Sequence, residues 1–149
     1  MKIAIGSDHR GYNVKQEIER YFEDNKIEYI DCGANSEETV DYPNIVRKVA
    51  KLVQDEECKR GILICGTGLG MAITANKYKN IRCANCYNSQ MAEYSRRHND
   101  ANILALGAGQ NSKEEIIEMI KIWLSTNFDG GRHENRIELI NQIEKENMK

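Results

Sequence analysis

Residues 61–70 read Gly61-Ile62-Leu63-Ile64-Cys65-Gly66-Thr67-Gly68-Leu69-Gly70. The first half is a short apolar run, bounded by glycines, with the length and bulk of a strand buried on both faces. Alternate glycines then let the backbone turn tightly and aim consecutive N–H groups at one point, ahead of a helix whose N-terminus is electropositive. Strand, glycine turn and helix in that order are the first half of a βαβ unit.

The same alternation extends outward in both directions. Further apolar runs fall at residues 3–5, 27–30, 81–84 and 103–106, and longer amphipathic stretches separate them. Val14, Ile18, Tyr21 and Phe22 share one helix face. Ile45, Val49, Leu52 and Val53 repeat the spacing, and so do Ile116, Ile120, Trp123 and Leu124. The last of these helices opens on Ser112-Lys113-Glu114-Glu115, an S-x-x-E capping box. Pro43, the sole proline, stands where the second helix should begin and where a missing N–H costs little. Five such alternations predict an α/β fold, a three-layer α/β/α sandwich with a five-stranded parallel sheet. A further amphipathic stretch carrying Ile137, Ile140 and Ile143 follows Gly130-Gly131 with no strand after it. It predicts an extra C-terminal helix, packed on its own domain or on a partner subunit.

The chain has 149 residues, 40% hydrophobic and 30% charged, which fits one domain over residues 1–149 and excludes disorder. A net charge of −2 gives no electrostatic case for nucleic acid. The N-terminus Met1-Lys2-Ile3-Ala4-Ile5-Gly6 soon turns polar and has no h-region of a signal peptide, and no apolar run approaches the ~18–20 residues of a membrane span. Five cysteines without framework spacing suit a reduced, cytoplasmic protein.

Ligands of such sheets sit beyond the carboxyl ends of the strands, so the residues after each run are the ones to search. The first run ends in Gly6-Ser7-Asp8-His9-Arg10-Gly11. Ser7 or Asp8 could cap the next helix, whereas His9 beside a helix N-terminus is placed to meet an anion. The glycine loop is G-x-G-x-G and follows the third run, unlike the G-x-G-x-x-G of a dinucleotide fold, and no Gly-Lys-Ser/Thr makes it a P-loop. Cys65 at its head could be a buried core residue. Its place between strand end and helix start instead favours a thiolate, with the Thr67 hydroxyl nearby for proton shuttling beside an oxyanion hole.

Two polar segments remain. Ser95-Arg96-Arg97-His98-Asn99-Asp100 could be a solvated turn or could hold a histidine acid–base. Arg132 and Arg136 are i, i+4 at the start of the last helix, where the dipole disfavours cations. They point to a shared anion, with surface pairing to Glu134 or Glu138 as the alternative. Cys83 and Cys86 lie three apart on a strand and face opposite sides, and no second pair accompanies them, so no metal site is expected.

These blocks together with Asp41-Tyr42-Pro43, Ala75-Asn76-Lys77 and Gly130-Gly131-Arg132-His133 resemble the type B ribose-5-phosphate isomerases over essentially the whole chain. That family also includes allose- and galactose-6-phosphate isomerases. The resemblance implies a Rossmann-like fold and a cofactor-independent aldose–ketose isomerase in homodimers or tetramers with shared active sites. It implies Cys65 as the base that moves a proton between C1 and C2, Thr67 as the shuttle between O1 and O2, and His98 as the residue that opens the furanose ring. Gly66, Gly68, Leu69 and Gly70 would hold the cis-enediolate. Asp8, Tyr42 and Asn99 would orient hydroxyls, and His9, Arg132 and Arg136 would hold the phosphate. The intact Asp8-His9 and Gly66-Thr67-Gly68 set the chain apart from the galactose-6-phosphate subunits. One departure stands out. Most relatives carry an arginine two residues beyond Leu106-Gly107, and this chain has Gly109. The expected substrate is D-ribose 5-phosphate, interconverted with D-ribulose 5-phosphate; a six-carbon aldose phosphate and a flavodoxin-like nucleotide-binding module are the alternatives.

Overall fold

In the computed structural model, which describes residues 1–148, strands and helices alternate as the sequence predicts. The strands are β1 (Lys2–Ser7), β2 (Glu28–Asp31), β3 (Arg60–Cys65), β4 (Cys83–Asn85) and β5 (Ile103–Gly107). The helices are α1 (Tyr12–Asp24), α2 (Tyr42–Gln54), α3 (Leu69–Ala75), α4 (Ser89–Arg97), α5 (Lys113–Ser125) and α6 (Arg132–Asn147). All strand pairs are parallel, in the order β2-β1-β3-β5-β4. This is the expected three-layer sandwich with an added C-terminal helix. The strand order reverses direction between β1 and β3, which puts the ligand crevice of an open α/β sheet at their carboxyl ends.

The central strands have no solvent face. Alternate residues Ile3, Ile5, Ile62, Ile64, Leu104 and Leu106 pack against Ile18 and Phe22 of α1 and Ile116, Ile120 and Trp123 of α5. The intervening residues Ala4, Leu63 and Ala105 meet Val46, Val49 and Ala50 of α2 and Met71 and Ala75 of α3. Ala4, Gly6 and Gly61 are small on this second face, where α2 lies close. A Cβ on Gly6 would stand 2.5 Å from the Ile45 side chain. The capping box of α5 forms as read, with Ser112 Oγ accepting from Glu115 N at 3.1 Å and Glu115 Oε1 from Ser112 N at 2.9 Å.

Three elements differ from the sequence reading. β4 starts at Cys83 rather than Ile81, because Arg82 is engaged outside the ladder: its N–H donates to the Asn102 side-chain Oδ1 at 2.8 Å and its guanidinium to the Asp100 backbone carbonyl at 2.9 Å. On α1, Lys15 rather than Tyr21 is fully buried. Its ammonium lies 2.7 Å from both carboxylate oxygens of Asp31 and 4.0 Å from Glu19. On α6 only Ile137 of the apolar row is buried, while Ile140 and Ile143 are 43% and 59% exposed. That helix is also tethered by Glu144, whose carboxylate accepts from Asn80 N at 2.9 Å.

Candidate active site

The turns after β1 and β3 interlock. Asp8 N donates to the Ile64 carbonyl at 3.1 Å, and a Cβ on Gly11 would stand 2.6 Å from the same oxygen. Glycine is therefore what allows α1 to start this close to β3. Asp8 is buried and caps nothing in the helix proper. Its Oδ1 instead accepts from Arg10 N at 2.9 Å and Gly11 N at 3.0 Å, folding the turn around the carboxylate. His9 Nδ1 accepts from Val40 N at 3.4 Å, which assigns the ring proton to Nε2 and leaves that N–H for a ligand.

Cys65 is buried at the end of β3, and its sulfur accepts from Gly68 N at 3.0 Å. Gly68 makes this bond from a left-handed backbone, φ 86°, and caps α3. Thr67 Oγ1 accepts from Leu69 N at 3.1 Å. β5 supports the loop from behind, with Ala108 N donating to Cys65 O at 2.8 Å and Gly109 N to Gly66 O at 3.0 Å. From the front the Tyr42 ring closes over it, its hydroxyl 2.7 Å from where a Gly70 Cβ would be. The N–H groups of Gly66 and Thr67 have no acceptor among the described residues. The arrangement offers a sulfur base, a hydroxyl and free amide donors within one turn of chain, as stabilisation of an oxyanion beside a proton transfer requires.

The other expected site residues form a second group. His98 ends α4 and lies between two rings, stacked on Tyr94 at 4.7 Å and on His133 at 4.2 Å between centroids. Burial and the neighbouring His98, Arg132 and Arg136 hold the His133 imidazole below its ordinary pKa. Asp129 closes the group by pairing with Arg97 at 3.1 Å. Arg132, Arg136 and Asn99 are exposed, and neither arginine forms an ion pair among the described residues, so the pairing with Glu134 or Glu138 is not made. Ligand atoms of His98, Asp129 and His133 come within 4.8 Å of one another, a cluster the sequence reading did not anticipate. The two imidazole planes are 11° from parallel, so their in-plane lone pairs do not converge on an ion.

The two groups lie at opposite ends of the sheet. Asp8, His9, Tyr42, Cys65, Gly66, Thr67, Gly68, Leu69 and Gly70 gather at the carboxyl ends of the strands. His98 and Asn99 precede β5, and Arg132 and Arg136 follow the return of α5, which places both at the amino ends. The length of β3, six residues at ~3.3 Å each, separates them by roughly 15–20 Å. Sequence reasoning passed over His133 as a stacking partner and Asn85, whose Oδ1 presses on Gly68 and is buried without a hydrogen-bond partner. The signal for His133 was its place between Arg132 and Arg136; for Asn85 it was a polar residue at the end of a strand.

The profile of the family described as Ribose/Galactose Isomerase matches residues 3–140. The chain belongs to this family. Among curated members, it is 47% identical to a putative sugar phosphate isomerase of Bacillus subtilis, covering 99% of this chain and 100% of that one. It is 43% identical to ribose-5-P isomerase B of Listeria innocua, covering 99% of each. The solved ribose-5-phosphate isomerase B of Clostridium thermocellum superposes with a TM-score of 0.96 at 51% identity, covering 98% of this chain and 99% of that one. The match to the Ribose/Galactose Isomerase family thus includes both residue groups and ends within α6.

Proposed function

We propose that the chain is an aldose–ketose isomerase that interconverts D-ribose 5-phosphate and D-ribulose 5-phosphate through a cis-enediolate. The observation that carries this reading is the Cys65 sulfur held at 3.0 Å by Gly68 N, beside the free amides of Gly66 and Thr67. In the open-chain aldose, the Cys65 thiolate takes the C2 proton and the electron pair moves onto the C1 carbonyl oxygen. The amides then meet the developing enediolate where the charge appears. Thr67 passes a proton from O2 to O1, and the Cys65 thiol returns its proton to C1. Protons alone are redistributed, so the reaction calls for no redox cofactor.

The division of the site supports a homodimer in which each active centre is shared. One subunit supplies Asp8, His9, Tyr42, Cys65, Thr67 and the glycine loop. The other supplies His98 for ring opening, Asn99 for a hydroxyl, and Arg132 and Arg136 for the phosphate. Leu139, Ile140 and Ile143, exposed on α6, give such a dimer apolar surface to bury. All five cysteines are free, which supports a place in the reducing cytoplasm; among the described residues no helix is long and apolar enough to cross a membrane.

Turnover of ribose 5-phosphate by the purified protein tests the reading, and Cys65→Ala should lower kcat by at least about 10²-fold. Near-wild-type kcat in that variant would remove Cys65 from the mechanism. The ratio of kcat/KM for ribose 5-phosphate over allose 6-phosphate, expected above one, decides between five- and six-carbon substrates.

A further inference from the structure

The turn after β1 carries a cation that none of the roles above employs. Arg10 follows His9, and its backbone N–H is fixed on Asp8 Oδ1 at 2.9 Å. From there the side chain runs across the loop. Its Cδ and Nη1 lie 3.2 and 3.3 Å from where a Cβ on Gly66 would be, so the stem rests on a glycine that leaves it room. Arg82, Arg96 and Arg97 each pair with a carboxylate. The exposed Arg10 guanidinium makes neither an ion pair nor a hydrogen bond among the described residues. Gly109, with no side chain to offer, meets Gly66 by donating its N–H to the Gly66 carbonyl.

We propose that Arg10 is a substrate-binding residue whose guanidinium closes on the phosphate of the sugar, beside His9 and from the same subunit as Cys65. The inference rests on the sugar-phosphate reading of this site. An unpaired guanidinium presents a planar fork of donors that matches two phosphate oxygens, and its next neighbour in the chain is the imidazole N–H that faces the same ligand. The contact is with the phosphate, which stays dianionic throughout the reaction, and not with O1 or O2, whose developing charge falls to the Gly66 and Thr67 amides. It is therefore made equally in the ground and transition states, and its loss falls on KM rather than kcat.

Arg10→Met keeps the stem on Gly66 and removes only the charge, and Arg10→Lys keeps the charge without the fork. For Arg10→Met, KM for ribose 5-phosphate and the competitive Ki of inorganic phosphate should both rise roughly tenfold, with kcat within about twofold. Arg10→Lys should fall between, and the KM of Arg10→Met should respond less to salt than that of the wild type. KM and Ki both within twofold of wild type in Arg10→Met, or a fall in kcat at unchanged KM, would overturn the proposal. Thermal stabilisation by inorganic phosphate provides a readout independent of turnover. If the wild type turns over no sugar phosphate yet is stabilised by phosphate and Arg10→Met is not, the function reading fails and Arg10 remains an anion contact. Equal stabilisation of both proteins removes the Arg10 contact alone.

Discussion

Gly68 satisfies two requirements at once. Its φ of 86° lies in the left-handed region, and a Cβ there would collide with Asn85 Oδ1 and come within 3.1 Å of the Leu106 carbonyl carbon. Its amide also holds the Cys65 sulfur. Gly68→Ala should therefore reduce kcat by more than tenfold and destabilise the fold by about 1–2 kcal/mol, read from turnover and urea midpoints. Adding Asn85→Ala removes the side-chain collision but not the left-handed strain, so the double variant should recover only part of the stability. At this scale the sequence was legible where function and local geometry coincide. Alternate glycines after a strand announce the loop, and the cysteine at its head is the residue whose sulfur Gly68 N holds. The Tyr94–His98–His133 stack was not legible, because His98 and His133 are brought together by the turn that follows α5 rather than by any periodicity.

Among the elements, α1 shows what an amphipathic pattern omits. Periodicity identified the face through Val14 and Ile18, but not that Lys15 would be enclosed with two carboxylates. Burial, then the hydrogen bond to Asp31, raise the pKa of Glu19 from 4.5 to about 7 despite the attraction of Lys15. Burial pushes Asp31 the other way from its net result: hydrogen bonds from the Glu19 carboxyl, Lys15 and Gly33 N outweigh it and hold Asp31 below its ordinary value. A carboxyl raised in the folded state contributes stability that is complete below pH 4.5 and is lost as pH rises through about 7. Asp31 has the opposite sign, and its contribution is lost only in strong acid. Wild-type stability should thus decline on Glu19's account between pH 5 and 8, and Glu19→Gln should flatten that decline. Urea midpoints of both proteins at the two pH values measure it. An equal decline in the variant would show that Glu19 is not the group responsible. The shift of β4 and the half-seated α6 have local causes: the hydrogen bonds around Arg82 in one case, and in the other an apolar row that the described residues leave partly exposed.

For the whole molecule, the separation of the two residue groups makes a stringent prediction. If each centre takes Cys65 from one subunit and His98 from the other, Cys65→Ala and His98→Asn proteins should each be nearly inactive. Mixed, dissociated and reassociated, they should regain about a quarter of wild-type activity. Half the dimers would then be hybrids, each with one intact centre and one doubly defective centre. No recovery on mixing would place both residues in one subunit's centre. The sheet, its layers and its strand count were legible from alternation, whereas the position of β5 between β3 and β4 was not, since hydrophobic runs carry no address.

That position also governs how the protein can be made. β4 pairs with β5 alone, and β5 is the last strand synthesised. On the ribosome, β4 must wait, its backbone unpaired, until residues 103–107 have emerged, and the β3 edge waits with it. A chain stalled before Ile103 would thus expose an open apolar strand edge, the feature that invites aggregation and disposal by quality control. The centre of the sheet closes only when the last strand is inserted.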